Sequence, residues 1–125
     1  NALSIGDSYL DFPVSRVTSI FQDNQLLYFA TNIGVVSFNI EEKFWDMVIP
    51  ASNYKGLDVS DLLVVGKFCF IGTNQGMFRI NLKSKRTREY NFDFIGSVNS
   101  IEKIGKYVWM GTSEGLIRFK WRKDL

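Results

Sequence analysis

One spacing recurs three times along this chain of 125 residues. Val17-Thr18-Ser19-Ile20 leads to Thr31-Asn32-Ile33-Gly34, Val59-Ser60-Asp61-Leu62 to Thr73-Asn74-Gln75-Gly76, and Val98-Asn99-Ser100-Ile101 to Thr112-Ser113-Glu114-Gly115. From the Val to the Thr is 14 positions in every copy (17 to 31, 59 to 73, 98 to 112), and from the Thr to the Gly is three. A period of about 40 residues marks propellers and solenoids, in which each repeat is one supersecondary unit that buries its apolar surface only against its neighbours.

The content of each copy decides between those architectures. Short apolar, β-rich runs alternate with turns, and no window carries the 3.6-residue period of an amphipathic helix. Asp23-Asn24-Gln25, Gly66-Lys67 and Gly105-Lys106 separate a first strand from a second, and each Thr-x-x-Gly tetrad separates the second from a third, its Gly supplying the positive φ of a tight hairpin. A fourth strand follows in two copies, Lys43 to Val48 and Arg86 to Phe92. Four antiparallel strands per repeat make a propeller blade.

The expectation is an all-β chain forming a single β-propeller segment over residues 1–125, with blades at about 14–50, 56–94 and 95–125. The third copy reaches Leu125 directly after its third strand. Ser8-Tyr9-Leu10-Asp11-Phe12, ending at Pro13, alternates like an outer strand and is expected to complete that last blade. Propellers have about 4–8 blades. Three blades therefore belong to a larger propeller, close as a head-to-tail dimer, or stack as an open array with pairable edges. A chain without an initiating Met also reads as a processed product or a piece of a longer protein, which leaves a removed targeting signal open.

At Trp109-Met110-Gly111-Thr112-Ser113-Glu114-Gly115-Leu116 the third copy resembles the two-component regulator propeller repeat, whose hallmark is an aromatic-x-Gly-Thr-x-x-Gly-Leu run after a short strand. Phe70-Ile71-Gly72-Thr73-Asn74-Gln75-Gly76-Met77 looks like the same motif with Met for Leu. The first copy departs from it at Ala30, where the first Gly belongs. The resemblance spans about Val17 to Trp121. It implies an extracytoplasmic bacterial protein, periplasmic or extracellular, of the kind found in the sensor ectodomains of hybrid histidine kinases, which are associated with carbohydrate sensing, and in proteins that bind protein partners. No kinase, receiver or DNA-binding portion accompanies it here.

Composition narrows the chemistry. The chain contains no His, which removes the usual general base and zinc ligand. Its one Cys, Cys69, lies in the apolar run Phe68-Cys69-Phe70-Ile71 and reads as a small buried hydrophobe, with no disulfide or thiolate metal site to build. The formal charge of +2 sets up no field for a nucleic-acid partner, and no apolar stretch approaches a membrane span. Asp23, Asp46, Asp58, Asp61, Asp93 and Glu102 recur in no spacing that pairs carboxylates for acid/base work or builds a calcium loop. No cofactor or metal is expected, and no phosphate-binding loop appears.

Several groups invite a binding role, each with a plainer structural explanation. Trp45, Trp109 and Trp121 can stack on sugars but are expected to pack between blades, and they do not repeat in register. Lys83, Lys85, Arg86 and Arg88, and Lys120, Arg122 and Lys123, form two basic clusters able to meet phosphates or an acidic protein; a solvated, aggregation-blocking edge is the plainer reading. Arg79 and Arg118, equivalent to Ser37, point to a role on the blade face.

The loops at one end of the blades, around the channel, are where a rigid scaffold presents binding residues. That face is expected to carry Arg16, Asn32, Ile33, Asp58, Ser60, Asn74, Gln75, Asn99, Ser113 and Glu114, a mixed-sign set suited to a polar ligand or a protein surface. The expected function is a noncatalytic binding or assembly module whose partner is another protein or its own second copy. An oligosaccharide-binding, lectin-like propeller and a channel-centred hydrolase or lyase are the alternatives.

Overall fold

The computed structural model describes residues 3–5, 8–10, 14–91 and 93–121. Every sheet is antiparallel and formed by strands consecutive in the chain. The first blade is β3 (Val17–Asp23), β4 (Leu26–Thr31), β5 (Gly34–Asn39) and β6 (Phe44–Pro50), preceded by a hairpin of β1 (Leu3–Ile5) and β2 (Ser8–Leu10). A 3-10 turn at Ala51–Tyr54 leads into the second blade: β7 (Val59–Val65), β8 (Phe68–Thr73), β9 (Gly76–Asn81) and β10 (Thr87–Tyr90). The third holds β11 (Val98–Ile104), β12 (Tyr107–Thr112) and β13 (Gly115–Lys120). The inner strand β7 packs between β3 and β11, so the blades fan side by side as in a propeller.

The middle blade is apolar on both faces because both are covered. One face, with Leu62, Val64, Cys69, Ile71, Phe78 and Ile80, packs on Tyr28, Ala30, Val35 and Ile49 of the first blade. The other, with Leu63, Val65, Phe68, Phe70, Met77 and Tyr90, packs on Val98, Ile101, Val108 and Met110 of the third. Strand alternation makes this possible, since successive side chains point to opposite faces. Trp45 packs in the first blade's remaining cluster against Phe29 and Phe38, with ring centroids 5.8 and 4.8 Å away.

The repeated tetrads have a common atomic cause. The Thr hydroxyl donates to the carbonyl of the Gly three residues on, at 2.7 Å from Thr31 and 2.8 Å from Thr73 and Thr112. The same oxygen accepts the N–H of the intervening residue, Ile33, Gln75 or Glu114. The turn thus closes on a side chain, with Gly34, Gly76 and Gly115 at φ of 143°, 96° and 126°, a region that L side chains rarely enter.

A second device ties the blades to one another. Each inner strand is bulged near its start, between Val17 and Ser19, Val59 and Asp61, and Val98 and Ser100. After the bulge the Asp61 carboxylate accepts from the Ser19 hydroxyl at 3.2 Å, from the Leu62 N–H at 2.9 Å and from the Ile101 N–H at 2.8 Å. One side chain of the middle blade therefore holds both neighbours.

The N-terminal strand departs from expectation. Ser8–Leu10 is extended, but it pairs with Leu3–Ile5, in register Leu3 to Leu10, and lies next to β6 of the first blade. It does not complete the third blade, and Asp11 and Phe12 lie outside the described residues. A partner two residues away closes a far shorter loop than one across three blades, at lower entropic cost.

Thr73 is fully buried while Thr112 lies in an exposed turn, so the same deletion is expected to cost different amounts. Thr73→Val should lower unfolding free energy by about 1–3 kcal/mol, and Thr112→Val by well under half of that, in urea titrations followed by tryptophan fluorescence. Asp61→Ala is expected to cost about 2–3 kcal/mol. Asp61→Asn should recover little of it, because an amide nitrogen replaces one of the two acceptor oxygens.

Candidate functional site

The loop before each inner strand and the Thr-x-x-Gly turn open on the same end of the blades. The main chain joins them: the Asn32 N–H donates to the Arg16 carbonyl at 3.2 Å, and in the third blade the Ser113 N–H donates to the Ser97 carbonyl at 2.8 Å. Side chains reinforce the link, with Asn32 Oδ1 accepting from the Ser15 and Arg16 N–H groups and Ser113 Oγ from the Ser97 N–H. Asn32 and Ser113 are thus exposed but held in place.

Arg16, Asn32 and Asp58 come together around a recess of about 90 Å3 between the first two blades, floored by Thr18, Thr31, Ala51, Gly56, Leu57 and Val59. Arg16 and Asp58 form a 2.7 Å ion pair across its mouth, with side chains 56% and 71% exposed. At that exposure the pair contributes little stability, on the order of 0–1 kcal/mol, and its consequence is a fixed pair of opposite charges at the surface. The recess is well below the roughly 300 Å3 at which small-molecule pockets begin.

The other expected residues take different roles. Asn74 and Gln75 are exposed on the middle turn, and Glu114 on the third, beside Gly96. Asn99 is exposed at the bulge of β11. Ser60, at the equivalent bulge of β7, donates its hydroxyl to the Val98 carbonyl and, at 3.2 Å, to the Gly72 carbonyl, so it serves the joint between blades. Thr18 holds the same bulge position in the first blade and lines the recess. Its equivalence to Ser60 and Asn99 in the repeat is the signal that identifies it, and sequence reasoning passed over it.

Of the remaining candidates, the two blade-face arginines lie over aromatic rings and the basic cluster of the middle blade is exposed. The guanidinium of Arg79 lies 5.0 Å from the Phe68 ring centroid, and that of Arg118 lies 4.3 Å from Tyr107 and 5.4 Å from Trp109. Lys83, Lys85, Arg86 and Arg88 are exposed along the last turn and outer strand of the middle blade. Burial pushes the Cys69 thiol up to about 12 against a slight lowering by Lys85, and burial pushes the Tyr54 hydroxyl to about 12 as well. Both keep their protons near neutrality, so neither is poised as a nucleophile or base. Among the described residues no three Cys, Asp or Glu side chains gather as a metal site, and no helix is long and apolar enough to cross a membrane.

Comparison with known proteins places the fold. No protein-family model matches the chain, and no curated protein does. Solved structures do match. One is the extracellular domain of BT4673 of B. thetaiotaomicron, described as a hybrid two-component system, with a TM-score of 0.71 and 19% identity, covering 94% of this chain and 16% of that one. Another is the extracellular domain of BT3049 of the same organism, at 0.65 and 21%, covering 94% and 17%. The N-terminal domain of Nup159 aligns at 0.64 and 15%, covering 95% and 30%. The chain spans about one sixth of the two bacterial domains it matches, and at these identities the likeness establishes the fold, a run of β-propeller blades.

Proposed function

We propose that this chain is a noncatalytic recognition segment of a larger propeller in an extracytoplasmic bacterial sensor, related to the two-component regulator propeller repeats. The observation that carries this reading is the loop face: exposed polar side chains of both signs around a shallow recess of about 90 Å3. Such a surface suits contact with another polypeptide, which needs complementary area and not a deep cavity. The sensor assignment is supported by the match to two domains described as extracellular parts of hybrid two-component systems and by the Gly-Thr-x-x-Gly runs at 72–76 and 111–115.

Membership of a larger propeller is supported by the end blades. Ile20 on β3 is 62% exposed, whereas its equivalents Leu62 and Ile101 are buried by the preceding blade. Leu116 on β13 is 70% exposed, whereas Met77 is fully buried by the following blade. Faces so alike and so differently covered call for further blades at both ends, from the same polypeptide or a second copy.

Photocrosslinkers at Asn74 and Ser113 are expected to capture a polypeptide from the producing cells, and capture should fall several-fold when Arg16, Asp58 and Asn99 are replaced together by Ala. Unchanged capture by that variant would sink the loop-face reading. Neutral hexasaccharides that instead shift the amide resonances of Asn32, Asn74 and Ser113 would turn it into a sugar surface. A thiol reagent at mildly alkaline pH is expected to leave Cys69 unlabelled until denaturant is added; ready labelling of the folded chain would contradict its structural role.

A further inference from the structure

The end of the blades opposite the loop face carries a charge pattern that the proposed function leaves unused. Strands β5 and β9 each run from a Thr-x-x-Gly turn at one end to a second turn at the other, residues 39–44 in the first blade and 81–86 in the second. These two turns are built alike. Asn39 Oδ1 accepts from the Glu41 and Glu42 N–H groups at 3.1 and 3.0 Å, and Asn81 Oδ1 accepts from those of Lys83 and Ser84 at 2.9 and 3.0 Å. The Lys43 N–H donates to the Asn39 carbonyl at 2.7 Å and the Lys85 N–H to that of Asn81 at 2.8 Å, with both lysines in the left-handed region at φ of 54° and 63°.

One frame carries opposite charge in the two blades. The first blade's turns at this end hold Asp23, Glu41 and Glu42 against Lys43, while the second blade's hold Lys67, Lys83, Lys85 and Arg86 and no carboxylate. The inner turns belong to the same end, since the Ile40 N–H donates to the Gln25 carbonyl and the Leu82 N–H to that of Lys67. Asn and the left-handed Lys close each outer turn, which leaves the side chains of Glu41, Glu42, Lys83 and Arg86 without a part in the fold. All four are exposed, and among the described residues none of them forms an ion pair. Phe44, at the position equivalent to Arg86, is 60% exposed, and Ile40 beside the acidic pair is 42% exposed. Further blades of a propeller add at the flanks of the fan and leave this end uncovered.

The two signs specify the occupant. A uniformly acidic partner or an anionic lipid surface would meet Glu41 and Glu42 as like charges. Two turns of one shape and opposite sign, on adjacent blades, instead make a surface complementary to itself, the property that a two-fold interface requires.

We propose that a second copy of this chain docks end to end on this face, the acidic turn at 39–44 of each copy against the basic turn at 81–86 of the other. Arg86 of one copy then faces Phe44 of the other, where guanidinium and ring attract. The contact uses neither the loop face nor the blade edges, so its failure would leave the recognition reading in place.

Exposed ion pairs are individually weak, so the association is expected to be modest and salt-dependent. Sedimentation of the 125-residue chain should show a dimer at about 20 mM salt that weakens about tenfold by roughly 0.5 M. Amide exchange should slow with rising concentration in residues 39–44 and 81–86 and stay unchanged in residues 31–34 and 73–76. Glu41→Lys with Glu42→Lys should abolish the dimer, as should Lys83→Glu with Arg86→Glu, and both variants should keep a thermal unfolding midpoint near that of the parent chain. Each reversal shifts the charge by two, so the parent's +2 becomes +6 in the first variant and −2 in the second, and loss in the second does not come from net charge. The chain with all four reversals returns to +2 and should dimerise like the parent. A monomer at low salt, a dimer indifferent to salt or to either pair of reversals, or a fourfold variant that stays monomeric overturns the proposal.

Discussion

A sheet that is apolar on both faces has to be covered on both faces, and the middle blade is such a sheet. Its strands read Val59-Ser60-Asp61-Leu62-Leu63-Val64-Val65 and Phe68-Cys69-Phe70-Ile71-Gly72-Thr73, runs without the polar alternation of a half-solvated strand. Burial of Cys69, Phe70 and Ile71 is complete because the first and third blades close on either side. The fan arrangement, the orientation of the turns toward one end and the open faces of the end blades all follow from that demand.

Polar groups set the spacing that apolar packing leaves loose. Apolar faces slide against one another at small cost, whereas the Asp61 carboxylate reaches Ser19 on one side and the Ile101 N–H on the other only when three inner strands stand in a single register. The Ser60 hydroxyl, bonded to the Val98 carbonyl, reinforces the second joint. Arg16, Asp58 and Asn99 all lie within a few residues of the bulges next to these bonds, so the loops that carry them start from strands held in one register.

The exposure of the loop residues lay open to reading in the repeat, because equivalent positions of a blade occupy equivalent places. Asn32, Asn74 and Ser113 share a turn position and share exposure. What the repeat could not disclose is which member of an equivalent set departs from the rest. Ser60 looks like Asn99 in sequence, yet its short side chain turns to the carbonyls of Gly72 and Val98 and leaves the face. Arg16 and Asp58 stand 42 residues apart and pair only because adjacent blades bring their loops together.

By itself the sequence determined the local units: strand, turn, strand, repeated at a spacing of 14 positions, with Thr and Gly in the turns because a hydroxyl must close the hairpin and a residue without Cβ must adopt the positive φ. These are contacts between residues a few positions apart, whose geometry follows from the local chain alone. Tertiary structure decided which strands find partners across the fold. It joined Arg16 to Asp58, and it brought the Ser19 hydroxyl and the Ile101 N–H to the Asp61 carboxylate. Those outcomes depend on loop-closure entropy and on the fit of whole faces, quantities that belong to the assembled blades and to no single segment of the chain.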